Sequence, residues 1–345
     1  MIPMPENLFR FASAIALALI ALVCPALVAA QTPSAEQPAP RPKLVTWQGP
    51  GAIPLPTGGD WKGEALNVYD RGTRPVVRYA KGDSGLTVSF ILFQRDGGDP
   101  TPQGCLADVL NPIVKGLDKQ LSERIDAETK NAAGQTLATS SYLVDINLAG
   151  VHGKQRNLFA FAANAHTCAE VHISTTRDTA ADNPAMAAIV SEFAPDLAYQ
   201  PVTADYVAVA TLLFRGAPGQ AAPYYNSALH ALPAGTPPTS KTRRIITDQL
   251  VMSLGMAHDL KDMQTIAKKA IADDPEYPLN YYNLACADAE MGNAAEARVH
   301  LQQAFDHRAN VLKGETLPDP ASDESILKLK KDEAFWNFVL ALPKS

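Results

Sequence analysis

The sequence contains none of the short motifs that carry common hydrolytic, nucleotide-binding or redox chemistries. It has no H-E-x-x-H, no G-x-x-x-x-G-K-[ST], no G-x-S-x-G and no C-x-x-C. These absences lower the expectation of catalysis without excluding it. The main hypothesis is therefore a non-catalytic protein, and the alternative is an enzyme in the N-terminal half whose substrate is recruited by the C-terminal half.

Clusters of lysine and arginine are also missing, and the net charge is −6. A mildly acidic chain gains nothing from releasing the counterions of a nucleic acid, so nucleic-acid binding is not expected. Charged residues make up 19% and hydrophobic residues 46% of the 345 positions. This composition predicts a packed core rather than disorder. The length allows about two domains.

Only the N-terminus has a long apolar run. Arg10 precedes the apolar stretch Phe11–Val23, and the small residues Val28–Ala30 offer a cleavage site, so residues 1–30 are predicted to be a signal peptide. The alternatives are an uncleaved anchor and, through Cys24, a lipoprotein. Cleavage predicts a periplasmic or secreted protein that has no remaining membrane span.

Four cysteines are present, and three of them follow the predicted signal peptide. Export permits disulfides. Cys105 and Cys168 lie in one predicted domain and are expected to pair, closing a loop of about 60 residues. Two free buried thiols are the alternative. Cys286 has no evident partner and is expected to be free.

Residues 31–43 contain four prolines and are predicted to be an extended linker. Residues 44–200 are predicted to form an α+β domain, a mostly antiparallel sheet with helices on one face. The predicted strands are Ala65–Tyr69, Pro75–Lys81, Leu86–Gln94, Thr136–Leu148, Arg156–Ala162 and Thr167–Ser174. The predicted helices are Gln103–Glu128 and Asn183–Phe193. The element order faintly resembles small α/β/α domains of the PsbP and Mog1 type.

His166, Cys168, Glu170 and His172 alternate along one predicted strand and therefore share one sheet face. Their side chains are competent zinc ligands, but four such positions span about 20 Å, too far for one ion. We expect a solvated polar sheet face with one bridged cysteine, and we predict no metal, cofactor or catalytic residue. For the enzyme alternative, this is the cluster to test.

From residue 201 onward a 34-residue period replaces the strand pattern. The copies cover about 202–235, 244–277 and 278–311. In the third copy, the residues that follow the period are Tyr281, Leu284, Ala285, Gly292, Ala297, Leu301 and Ala304. The second copy has Leu250, Val251, Leu254, Met263, Ala267 and Ala270, and the first has Ala208, Leu212, Gly216, Ala221, Tyr225 and Ala228. The pattern resembles that of tetratricopeptide (TPR) repeats.

The resemblance implies that residues 201–345 form an all-α stack of helix pairs. Small residues let the two helices of a pair approach closely, and large residues fill the space between pairs. Two further predicted helices, Ser322–Lys331 and Asp332–Leu342, are expected to cap the stack.

The resemblance also implies a groove lined by the first helix of each pair. The predicted lining residues are Tyr206, Leu213, Phe214, Asp248, Met252, Met256, Tyr282 and Glu290. This aromatic, methionine-rich and slightly acidic lining suits an apolar segment of a partner protein. The leading hypothesis is an exported, non-catalytic interaction scaffold. A structural component that self-associates is a further reading, and the C-terminal helices could instead fill the groove.

Overall fold

A computed structural model describes residues 44–55, 61–69, 74–81, 85–94, 101–117, 119–148, 151–177 and 182–343. The predicted signal peptide and the proline-rich linker lie outside these residues. Within them, no helix combines the length and apolar character needed to cross a membrane.

The N-terminal part is built on a seven-stranded antiparallel sheet with the strand order β3-β4-β5-β9-β8-β7-β6. Its strands are β3 (Trp61–Tyr69), β4 (Arg74–Lys81), β5 (Thr87–Gln94), β6 (Leu121–Lys130), β7 (Thr136–Leu148), β8 (Val151–Ala163) and β9 (Thr167–Thr175). A short hairpin, β1 (Leu44–Thr46) and β2 (Ala52–Pro54), precedes the sheet. The predicted α+β class is confirmed.

Helices cover both faces of this sheet rather than one. Helix α1 (Pro102–Leu117) and helix α2 (Asp182–Glu192) pack on opposite sides. The core under α1 includes Phe93, Leu106, Leu110, Phe159 and Phe161, and the core under α2 includes Val88, Phe90, Ala160, Val171, Ile173 and Ile189. The physical reason lies in the composition of the central strands. Their side chains are apolar on both faces of the sheet, so each face must be covered by a helix.

The predicted helix Gln103–Glu128 is too long at its C-terminal end. The helix ends at Leu117, and β6 begins at Leu121. Ile125 fits the helical spacing but is 64% exposed on an edge strand whose pairing with β7 is irregular near this residue. The helical spacing of apolar residues thus continues by chance through the turn after α1 and into β6, which is why the predicted helix included part of this strand.

The predicted disulfide is present and joins Cys105 of α1 to Cys168 of β9, with the Cα atoms 6.0 Å apart. Both cysteines are fully buried in the core between α1 and the sheet. Cys286 is free and buried, as expected.

The C-terminal part is a run of paired helices, as predicted. The helices are α3 (Thr203–Phe214), α4 (Pro218–His230), α5 (Lys241–Met256), α6 (Leu260–Asp273), α7 (Pro278–Glu290), α8 (Ala294–Asp306), α9 (Glu324–Leu327) and α10 (Glu333–Ala341). The small residues of the 34-residue period lie where helices touch. Those with no exposed surface are Ala221, Ala228, Ala267, Ala285, Ala297 and Ala304. A larger side chain at these positions would force the helices apart.

Candidate functional site

The candidate site is the inner face of the helix stack, which we define as the face of α3, α5 and α7 that carries the predicted groove residues. On α3, this face is closed by packing. Tyr206 and Leu213 are buried in the core of the first helix pair, and the half-buried Phe214 makes an edge contact with Tyr225. These α3 residues therefore contribute to stability more than to an open surface.

On α7, the inner face is covered by the chain's own C-terminal segment, defined here as residues 311–343. The hydroxyl of Tyr282 donates to Asp323 at 3.2 Å, and the Sγ atom of Cys286 lies 3.9 Å from the same carboxylate. Further along the same segment, Lys328 forms an ion pair with Glu290 at the C-terminal end of α7. Two of the predicted groove residues are thus occupied by an intramolecular contact.

The same segment reaches the N-terminal end of α7. The hydroxyl of Tyr277 donates to Glu315 at 2.9 Å, and Leu317 is buried in the core shared with α7. Ile326 and Leu329 enter that core as well. The C-terminal segment therefore runs alongside α7 in the same direction.

Tyr282→Phe tests the hydrogen bond to Asp323. That carboxylate also caps α9 by accepting from the backbone N–H of Ser325 at 2.9 Å. We expect the loss of a hydrogen bond to a charged group to lower the stability of the helix stack by about 2 kcal/mol. Urea unfolding would measure it, and hydrogen exchange in α9 should accelerate.

Tyr281→Phe is the matched control for this prediction. The ring of Tyr281 stacks on His307 with centroids 5.5 Å apart, and its hydroxyl has no partner in the described part of the chain. Removing that hydroxyl should change stability by less than about 0.5 kcal/mol. Equal effects of the two substitutions would show that the Asp323 contact does not hold the segment.

On α5, the inner face is open. Ile245, Met252 and Met256 are 37%, 38% and 55% exposed, and with Asp248 they follow one another at helical spacings of three and four residues. These four residues are called the α5 face below. The three exposed apolar side chains thus align on one side of the helix, with Asp248 between the first and the second.

Asp248 is the one charged residue of the α5 face. Its Oδ1 atom accepts from Asn283 Nδ2 of α7 at 2.8 Å. Burial, together with the nearby carboxylate of Glu315, raises the pKa of Asp248 to about 6, although hydrogen bonds from Asn283 and Gln249 act in the opposite direction. At neutral pH this carboxylate is ionised in surroundings that disfavour its charge.

Asp248→Asn should remove a pH dependence of stability. Between pH 4 and 6 the folded protein keeps a proton on Asp248 that the unfolded chain has released, so wild-type stability falls as the pH rises through this range. The variant should therefore be more stable than wild type by about 3 kcal/mol at pH 7.5 and close to it near pH 4. Urea unfolding at four pH values would show whether the two curves diverge or stay parallel; parallel curves contradict the prediction.

Two polar networks hold the helices that carry the α5 face. Arg244 donates to both carboxylate oxygens of Asp274, at 2.6 and 3.0 Å, and lies over the ring of Tyr277. The buried Asp288 of α7 accepts from Gln264 of α6 at 2.7 Å and contacts His300 of α8 at 2.6 Å. Both networks join helices of neighbouring pairs, so the spacing of the inner face is fixed by directional contacts as well as by packing.

Comparison with known proteins assigns no family. No protein-family model and no curated protein matches the chain. Among solved structures, BtubC (BKLC) from P. vanneervenii is similar, with 20% identity over 41% of this chain and 59% of BtubC, at a TM-score of 0.32. A Bacteroides thetaiotaomicron VPI-5482 protein is similar over 62% of this chain and 78% of its own, with 9% identity and a TM-score of 0.31. The chain thus spans less than two thirds of BtubC, and TM-scores this low support no argument about function.

The polar cluster of the sheet differs from the sequence expectation. His166 lies in the turn before β9 and is exposed, whereas Glu170 is only 4% exposed. His172 Nε2 lies 2.9 Å from Asn157 Oδ1, and its ring stacks on Phe159 with centroids 4.0 Å apart. The expectation of a solvated face is therefore wrong for Glu170, because this strand is central in the sheet. No group of three or more metal-binding side chains is found in the described ranges.

Sequence reasoning missed Ile245, Glu315 and Asp323. Ile245 could have been found by extending the stripe of Asp248 and Met252 one turn towards the helix start. No local sequence pattern marks Glu315 or Asp323, because each contacts α7 or the residue before it from 37 to 41 positions away.

Proposed function

We propose that the protein is an exported, non-catalytic scaffold that binds a segment of a partner protein on the α5 face. The observation that carries this proposal is the exposed stripe of Ile245, Met252 and Met256 on a helix whose neighbours on the inner face are closed by packing or by the C-terminal segment. Methionine side chains adapt to differently shaped apolar partners. The TPR-like period supports the same use, because the inner face of such stacks is a common peptide-binding surface.

The proposed export is supported by the disulfide between Cys105 and Cys168. Disulfides persist in oxidising compartments outside the cytosol and are rare within it. Together with the N-terminal apolar run, the disulfide favours a periplasmic or secreted location. In this proposal residues 44–200 form a stable domain that presents the stack, and residues 201–345 bind the partner.

A photo-crosslinking amino acid placed at position 256 tests the binding surface in cells. Met256 and Val299 are both 55% exposed, but Val299 lies on α8, away from the α5 face. We expect a discrete adduct with another protein from position 256 and none from position 299. The adduct should weaken when Met252→Gln removes apolar surface from the same stripe. Identical adducts from both positions, or none from position 256, would contradict the proposal.

A further inference from the structure

The α5 face has a carboxylate in its middle that forms no ion pair with any described residue. Asp248 lies between Ile245 and Met252, accepts a hydrogen bond from Asn283, and pairs with no lysine, arginine or histidine in the described part of the chain. A half-buried carboxylate without a counter-charge is costly, and a partner can offset this cost by supplying a cation.

A second carboxylate lies beside it. Glu315 of the C-terminal segment raises the pKa of Asp248 through its charge, and its own contacts are the Tyr277 hydroxyl and the backbone N–H of Leu312. Arg244, one turn before Asp248 on the same helix, feels the charge of Glu315, but its guanidinium donates to both oxygens of Asp274 and lies over the Tyr277 ring. The exposed apolar side chains are therefore bordered by two carboxylates, Asp248 and Glu315, and neither forms an ion pair with a side chain in the described part of the chain.

Building on the function proposed above, we propose that the partner segment carries a lysine or arginine flanked by apolar side chains. The long apolar stem of either residue can lie along Met252 while its charged head reaches Asp248 and Glu315. The flanking apolar side chains contact Ile245 on one side and Met256 on the other.

The spacing of the α5 face sets the spacing of the partner residues. Ile245 to Met256 spans eleven residues, or about 16 Å of helix, and Asp248 lies about 4.5 Å along it from Ile245. A helical partner would therefore carry one apolar residue a turn away from its basic residue to contact Ile245. On the other side, apolar residues one and two turns away would contact Met252 and Met256. A segment with an acidic residue or a terminal carboxylate at this point would be repelled by the two carboxylates.

Designed peptides test this chemistry directly. The probe is a helical peptide of about 16 residues, long enough to form helix on a surface, with leucines at three- and four-residue spacings on both sides of a central lysine. Two matched peptides carry norleucine or glutamate in place of the lysine. Binding to the full chain is measured by fluorescence anisotropy at low ionic strength and pH 7.5, with wild type, Asp248→Asn, Asp262→Asn and the double variant Met252→Gln/Met256→Gln.

The lysine peptide should bind with the highest affinity, about tenfold tighter than the norleucine peptide, and the glutamate peptide should bind most weakly. Asp248→Asn should bring the lysine and norleucine peptides to within about twofold, whereas Asp262→Asn, which changes an exposed carboxylate on α6, should leave the tenfold preference intact. The double methionine variant should weaken all three peptides.

The outcomes separate the two proposals. If all three peptides bind with equal affinity, and the double methionine variant weakens them, the α5 face binds apolar segments and the basic-residue inference is wrong. The basic-residue inference is also wrong if the Asp248→Asn variant still prefers the lysine peptide over the norleucine peptide. If no peptide binds, or if the double methionine variant binds all three peptides as tightly as wild type, both the proposed function and this inference are wrong.

Discussion

Replacing Asp274 with asparagine should lower the free energy of unfolding of the helix stack by about 3 kcal/mol. Asp274 is 3% exposed, and its carboxylate accepts from two nitrogens of Arg244, a side chain that is 14% exposed. The carboxylate raises the pKa of Arg244, so the guanidinium stays charged. Asparagine keeps the size of the side chain but leaves a largely buried cation without its counter-charge.

Asp273→Asn is the control, one residue away. Asp273 pairs with Lys269 at 2.6 Å within α6, but these side chains are 44% and 70% exposed. Solvent-exposed pairs of this kind contribute about 0.5 kcal/mol or less. Urea unfolding followed by circular dichroism at 222 nm would compare the two variants. Similar small losses from both would mean that the Arg244 contact does not hold the second and third helix pairs together.

Removing the disulfide should have an effect of the same order on the sheet. The bond between Cys105 and Cys168 closes a loop of 63 residues in sequence separation. The chain-entropy relation for a loop of this length gives about 4 kcal/mol of lost stability in the double variant Cys105→Ala/Cys168→Ala. Because the disulfide restricts the unfolded chain, the loss should lower the stability of the sheet and the helices packed on it, and not that of the C-terminal helices.

Hydrogen exchange with peptide resolution separates the sheet from the helix stack in this experiment. Protection should fall in β8, β9 and α1 and stay unchanged in α7 and α8. Reduction of the wild-type protein with dithiothreitol should reproduce the loss without altering a side chain. Cys286→Ala should make no difference to the response to reductant, because Cys286 is free. A double variant as stable as wild type would contradict the prediction.

The sequence predicted elements well where one local pattern dominates. The alanines of the 34-residue period lie at helix contacts because only a small side chain fits there, and this requirement is visible in sequence. The pairing of Cys105 with Cys168 was foreseeable because both fall in one domain. In contrast, the helix predicted to reach Glu128 absorbed part of β6, since Leu121 and Ile125 fit a helical spacing by chance.

The candidate site was only partly predictable for a different reason. The sequence pattern placed Tyr282 and Glu290 in an open groove, but Asp323 and Lys328 cover them from about 40 residues away. No local period reports such contacts, because they depend on where an irregular segment docks. Met252 and Met256 stayed exposed as the pattern implied. The assignment of the stack to the TPR family remains a prediction.

The contrast between an open α5 face and a covered α7 face can be tested by thiol labelling. The variant Cys24→Ser/Met256→Cys has one thiol on each face, at positions 256 and 286. Cys286 is 8% exposed, and burial together with Asp323 raises the pKa of its thiol well above the ordinary range. Mass spectrometry would follow the reaction of each cysteine with a maleimide separately.

Because thiolates react and buried thiols stay protonated, position 256 should label about a hundredfold faster than Cys286 in the folded protein. The two rates should converge in urea. Comparable rates in the folded protein would contradict the account, since they would place Cys286 in the open and the C-terminal segment away from α7.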